Sequence, residues 1–195
     1  PLTISKAEAE VVLDNIEVVW GPASQPTMAT GTIRILRAGA KVSGAISLDA
    51  PESWNGVTYE LISAGPALTV TGAAPDGTPL QFQTAADQPP TSTLTLPLAA
   101  ADGLSSFAVP QEGIIMQVSV EPADGAPGIR LRAYQGRAGE LVEDRVIWDS
   151  TEVTINGSRL VFEVAPYAML RARHLPGRQV LYVAGLVTLA ALLAS

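Results

Sequence analysis

Thr154-Ile155-Asn156-Gly157-Ser158-Arg159, continued by Leu160-Val161-Phe162-Glu163-Val164, decides how the chain is read. Asn-Gly is a pair that tolerates positive φ at both central positions of a two-residue turn, so the flanking residues predict an antiparallel hairpin. Leu160, Phe162 and Val164 then alternate with Val161 and Glu163, which is the period of a strand with one buried face.

The same period recurs through most of the chain. Ile33 and Ile35 alternate with Arg34 and Leu36, and Val42, Ile46 and Leu48 with Ser43, Ser47 and Asp49. Val57, Tyr59 and Leu61 alternate with Thr58 and Glu60. Leu94, Leu96 and Leu98 are separated by Thr95 and Pro97, and Met116, Val118 and Val120 by Gln117 and Ser119. Turn signals stand between these runs at Pro75-Asp76-Gly77, Asp102-Gly103 and Asp124-Gly125. From Lys6 to Val164 no helical stripe competes. The pattern predicts an all-β fold, a β-sandwich or open barrel of about ten to twelve short strands.

Three local expectations accompany it. Ser5 to Glu10 can form a helical turn before Val11-Val12-Leu13 and Ile16-Glu17-Val18-Val19-Trp20 become extended. The parity break at Asp14-Asn15 predicts a bulge. Ala85 to Ser92, A-A-D-Q-P-P-T-S, reads as a long surface loop, or alternatively as a division into two lobes.

The chain of 195 residues suits one domain plus an anchor, or two small domains. Its net charge of −7 argues against nucleic acid as a partner, because phosphate binding needs a basic stripe. Cysteine is absent, which excludes a disulfide framework, thiolate catalysis and zinc–thiolate or iron–sulfur sites.

Catalytic patterns are equally scarce. There is no G-x-S-x-G elbow, no phosphate loop and no dinucleotide fingerprint. Asp76, Asp102 and Asp124 each precede Gly and suit turns. Glu143-Asp144 beside Arg145 reads as a solvated charged edge. Asn156-Gly157-Ser158 fits a glycosylation pattern, but the hairpin already explains it. Trp20, Trp54 and Trp148 read as core or rim residues. The single histidine, His174, can ligate a haem iron axially or stand as an interfacial residue among arginines. No catalytic or metal-ligating set emerges, and the residues predict a non-catalytic chain.

The C-terminus has a different character. Val180 to Ser195 carries no charge and follows Arg171, Arg173, His174 and Arg178. An apolar run behind a basic collar predicts a transmembrane helix anchored at the headgroups, with Tyr182 at the interface. A buried core helix is the alternative. Sixteen helical residues reach ~24 Å against a hydrocarbon core of ~30 Å, so the span reads as incomplete. Ala184, Thr188 and Ala191 share one side and predict packing on another membrane helix. The resulting organisation is a β domain over residues 1–166, an interfacial basic linker over 167–179 and a transmembrane helix over 180–195.

Two stretches resemble the ResB/CcsB family of cytochrome c biogenesis proteins. In Leu48 to Leu80 the shared features are Pro51, Gly56, Tyr59, Gly65-Pro66-Ala67 and the Asp76-Gly77 turn. In Pro166 to Leu193 they are Tyr167, Leu170, Pro176-Gly177, Tyr182 and Gly185. Each also has a fold role in turns or at the entry to the membrane, so these motifs mark a fold and identify no catalytic group.

The resemblance implies an extracytoplasmic β domain on the cytoplasmic (inner) membrane, working with a ResC/CcsA-type partner that brings haem to apocytochrome c. Haem would then be held through the partner, with none on this chain. The surroundings of Glu52 and Glu60 depart from the family pattern, and the membrane helices that the family places before the β domain are not in this sequence. An alternative is a non-catalytic accessory subunit of a respiratory or photosynthetic membrane complex. The arginine flank alone favours a cytoplasmic β domain by the positive-inside tendency, whereas the resemblance places it outside.

Overall fold

A computed structural model describes residues 2–6, 9–37, 40–54, 56–98, 103–136 and 138–174. The described residues form thirteen strands and two short 3-10 turns, with no α-helix. The all-β expectation is met, and the strands are arranged in three antiparallel sheets.

The first sheet is a meander of β1 (Leu2–Lys6), β2 (Ala9–Trp20), β3 (Pro26–Arg37) and β4 (Ala40–Ser47). Ser5 pairs with Glu10 and Lys6 with Ala9 across β1 and β2, so the expected helical turn is a hairpin instead. Local propensity in a six-residue stretch yields to cross-strand pairing, because one helical turn has a costly nucleus. At Asn15 the φ of +48° interrupts β2. Val11, Val12 and Leu13 are all buried before it, and the half-buried residues after it are Ile16, Val18 and Trp20. The left-handed Asn15 falls at the expected parity break, and past it the alternation runs on even positions.

The second sheet orders β11 (Glu140–Ile147), β10 (Gly128–Gln135), β9 (Ile114–Glu121) and β8 (Ser105–Val109). Its edge strand β11 sets Arg145 opposite Leu131 and Glu143 opposite Ala133, on the face that is buried deeper in the sheet. These two form an ion pair of 2.6 Å. The register shifts between Ala133 and Tyr134. Inward charges and a register shift both blunt an open edge against pairing with other chains.

The third sheet orders β12 (Thr151–Ile155), β13 (Ser158–His174), β6 (Val57–Ala73) and β5 (Glu52–Trp54), with β7 (Thr93–Pro97) also on β6. The β12–β13 turn has φ of +54° at Asn156 and +82° at Gly157, the conformation expected of that pair. Ser158 follows with its side chain fully buried, and its hydroxyl donates to Glu112 Oε1 at 2.5 Å. This bond satisfies a buried hydroxyl and ties the 3-10 turn Pro110–Glu112 to the hairpin.

β13 does not stop at residue 166. It continues through Tyr167 to His174, so that part of the predicted linker is strand. Buried Ala168 and Leu170 alternate there with exposed Met169 and Arg171, a period of two that the basic residues concealed. The remainder of the linker and residues 180–195 lie outside the described residues.

The chain groups into two compact units. Among the described residues, one comprises those up to Asn15, Thr30–Ser63 and Met169 to His174, and the other Ile16–Ala29 and Ala64–Ala168. The second unit holds a contiguous core that includes Leu68, Leu80, Phe82, Phe107, Met116, Leu131 and Phe162. Phe82 and Phe107 meet edge to face at 5.9 Å and 75°. The first unit buries Leu13, Ile33, Ile35, Ile46, Tyr59 and Leu61. Ala85 to Ser92 is a loop inside the second unit. Phe82 and Thr91 exchange backbone hydrogen bonds of 2.8 and 3.0 Å at its base, and the Gln83 amide donates to the carbonyls of Ala86 and Gln88.

Candidate functional site

Strands β6 and β13 are neighbours in the third sheet; β6 carries Tyr59 and Gly65-Pro66-Ala67 of the first quoted stretch, and β13 carries Tyr167 and Leu170 of the second. Within the first unit, Tyr59 and Leu61 point into the core from β6, as does Leu170 from β13. Burial raises the Tyr59 phenol above its ordinary pKa. The alternation that buries these residues brings Glu60 and Ile62 of β6, and Met169, Arg171 and Arg173 of β13, to the other face.

On that face Arg171 Nη1 lies 3.3 Å and Arg173 Nε 3.1 Å from Glu60 Oε1. The oxygen is buried, and neither guanidinium is aligned for a hydrogen bond to it. The contact is therefore mainly one of charge. One carboxylate shared by two guanidiniums leaves one positive charge. Both arginine side chains remain about half exposed, at 44% and 53%, and can meet a further anion. Ile62, 37% exposed, and Met169, 49% exposed, add apolar surface to the same face. Basic and apolar side chains presented together suit the headgroup region of a membrane.

Of the residues predicted for the membrane interface, Arg171 and Arg173 are thus brought together. His174 is the last residue of β13, and its side chain lies outside the description. Arg178, Tyr182, Ala184, Thr188 and Ala191 also lie outside the described residues. Glu60 was missed as a partner, although its signal was legible. It is the lone acid on the polar parity of Val57 to Leu61, and Arg171 and Arg173 share one parity of their own strand.

Within the second unit the two motif stretches also meet. A Cβ built on Gly65 would lie 2.8 Å from Tyr167 Cε1 and 3.2 Å from the Leu98 carbonyl oxygen. Only a residue without a side chain allows the Tyr167 ring this close. Gly56 and Gly77 supply turns, with φ of +79° and +83°, and Thr78 N–H donates to Asp76 at 2.9 Å in the second turn. That hydrogen bond is the largest cause holding the Asp76 carboxyl below its usual pKa. These markers serve the fold.

Haem chemistry needs an axial donor facing an apolar cleft. Among the described side chains there is no imidazole or thiolate, and the side chain of His174 lies outside them. Among the described residues no three His, Cys, Asp or Glu side chains gather as a metal set. No helix among them is long and apolar enough to cross a membrane. Family models, curated proteins and solved structures were all compared with this chain, and none of them matches it.

Proposed function

We propose that this chain is a membrane-anchored, ResB-like component of cytochrome c biogenesis that assists haem delivery to apocytochrome c. In this reading it performs no chemistry of its own. It acts as an extracytoplasmic β scaffold beside a ResC/CcsA-type membrane partner that handles haem. Residues 180–195 supply the anchor, with Ala184, Thr188 and Ala191 turned toward a neighbouring helix.

The observation that carries the reading is the packing of Tyr167 on Gly65. Two motifs chosen for their family likeness, and separated by about a hundred residues, rest on each other as parts of one fold would. The half-exposed Arg171 and Arg173 give further support, since they stand just before the apolar C-terminal run.

Removing the chain from its host tests the proposal. The expected result is loss of covalently haem-stained c-type cytochromes while apocytochrome is still made. Normal haem staining, together with a respiratory or photosynthetic complex that falls apart, would instead establish the accessory-subunit role. Protease added to spheroplasts should digest the β domain, and protection until lysis would reverse the topology.

A further inference from the structure

The second unit contains a pocket of about 140 Å³ that the proposed function does not use. All three sheets contribute to it within that unit. The first brings Val18 and Trp20 at the end of β2, and the third brings Pro66 of β6 and Pro166 of β13. The second is represented by Pro127, just before β10, and by Trp148, just after β11. Pro66 and Pro127 are buried, whereas Pro166 and Trp148 are exposed, so the pocket has a floor and an open mouth.

Its walls are held in place. Trp148 is 55% exposed, yet its ring rests on the backbone of Gly128, where an added Cβ would come within 3.1 Å of the indole. Beyond Trp20, Ala23 and Ser24 both adopt left-handed conformations, with φ of +54° and +56°. The Ser24 N–H and hydroxyl reach the Ala123 carbonyl at 3.1 Å each, and Ala123 N–H returns a bond of 2.8 Å to the Ser24 oxygen. This clamp joins the loop that follows Trp20 to the loop that precedes Pro127. Walls fixed before binding have little freedom left to lose when the pocket fills.

The chemistry of the walls selects the occupant. No lining residue carries a charge or a carboxyl, amide or hydroxyl group on its side chain. Arg130, which the register sets opposite Val146 on the face of Gly128, is already engaged by Asp144 at 3.0 Å and Glu121 at 3.6 Å. A charged ligand would therefore lose its water without finding a partner. An apolar cavity of ~150 Å³ stays dry and admits one benzene ring, so the volume here suits a single ring. Two indoles favour an aromatic one, through offset or edge contacts. A peptide docked by its main chain draws affinity from backbone hydrogen bonds, and three of the lining residues are prolines with no N–H to give. We propose that this pocket binds a small, uncharged, one-ring aromatic molecule, held by contact against Trp20 and Trp148.

The test titrates the full chain with toluene, followed by tryptophan fluorescence and by calorimetry. Saturable one-site binding is expected. Benzoate and benzylammonium, the same ring with either charge, should each bind about tenfold more weakly or worse. Trp148→Ala should weaken toluene by about fivefold or more, and Trp148→Phe, which keeps an aromatic wall, should recover part of the loss. Val18→Phe, which fills the space from the first sheet, should act like Trp148→Ala. Trp54→Phe, in the other unit, should leave binding unchanged. Circular dichroism checks that each variant is folded, and the charge series on the unaltered chain keeps the test decisive if a variant is not. Toluene uptake that does not saturate, or that survives both Trp148→Ala and Val18→Phe, would overturn the proposal. So would benzylammonium binding as tightly as toluene, which marks a cation site, or N-acetylphenylalanine amide binding more tightly, which marks a polypeptide side chain as the occupant.

Discussion

Both compact units are made of antiparallel strands, yet they resolve charge in opposite ways. Ile16–Ala29 and Ala64–Ala168 hold thirteen Asp and Glu against five Arg and no Lys, a net −8, while the rest of the chain holds six acidic against seven basic residues, a net +1. The described charges of the acidic unit lie on outer faces and edges, around an apolar core with three buried phenylalanines. The near-neutral unit has no buried phenylalanine. It places Glu60 at the boundary of its interior, where a buried oxygen meets two arginines. In the first case the described apolar core works against the self-repulsion of a net negative surface. In the second, a charge cluster stands half open to an outside anion.

Core deletions should expose this difference most strongly. Phe82 is fully buried and has an aromatic partner, so Phe82→Ala should destabilise the chain by about 3–5 kcal/mol in denaturant unfolding. Leu61→Ala, in the near-neutral unit, removes a smaller side chain with no aromatic partner and should cost about 2–3 kcal/mol. Equal losses would mean that the two interiors are packed alike.

The next effect tests whether the motif stretches depend on one another. Gly65→Ala forces a methyl against the Tyr167 ring and should cost about 1–3 kcal/mol. Tyr167→Ala also destabilises alone, but the double variant should be less unstable than the sum, because the collision is gone. Strict additivity in thermal or denaturant unfolding would show that Tyr167 does not rest on Gly65.

Much of the architecture was legible in residue order. Alternation at Ile33-Ile35, Met116-Val118 and Leu160-Phe162 located buried faces, and Asn156-Gly157 located a turn with the φ values it demands. Ser5 to Glu10 misled because a short stretch has no period long enough to distinguish helix from strand. The extension of β13 to His174 was hidden because Arg171 and Arg173 read as a collar, although Ala168 and Leu170 continued the strand parity. The division into two units could not be read at all. It falls inside β2, β3, β6 and β13, and strand periodicity does not change there. At the candidate site the arginines were legible as basic residues, but their common partner depended on the pairing of distant strands.

The charge cluster offers a smaller effect with a distinctive sign. Its members are partly exposed, so a double-mutant cycle on Glu60→Gln and Arg171→Gln should give only about 0.5–1 kcal/mol of coupling. Glu60→Gln also frees a positive charge. Binding of the full chain to vesicles rich in phosphatidylglycerol should therefore strengthen, by less than about tenfold, and the gain should fade with added salt. Weaker binding would show that Glu60 positions the arginines for the anion instead of competing with it.

The smallest effect comes from the acidic unit, at Asp144. Its carboxylate accepts from Arg130 Nε at 3.0 Å and lies 3.4 Å from Arg132 Nε. The Arg130 hydrogen bond is the largest cause holding its pKa below the usual carboxylate range, partial desolvation opposes this, and the charges of both arginines add to it. A folded-state pKa below the unfolded one binds fewer protons in the native state. Its contribution to stability is fully present above the unfolded pKa of about 4, and it is lost as pH falls through the folded value. Comparing wild type with Asp144→Asn from about pH 6 to about pH 2 should show a slightly shallower loss of stability in the variant. High salt should shrink the difference between them, because this pair stands in solvent. Parallel acid curves would mean that the bridge organises the outer face of β10 and β11 without stabilising the fold, leaving the acidic unit dependent on its core alone.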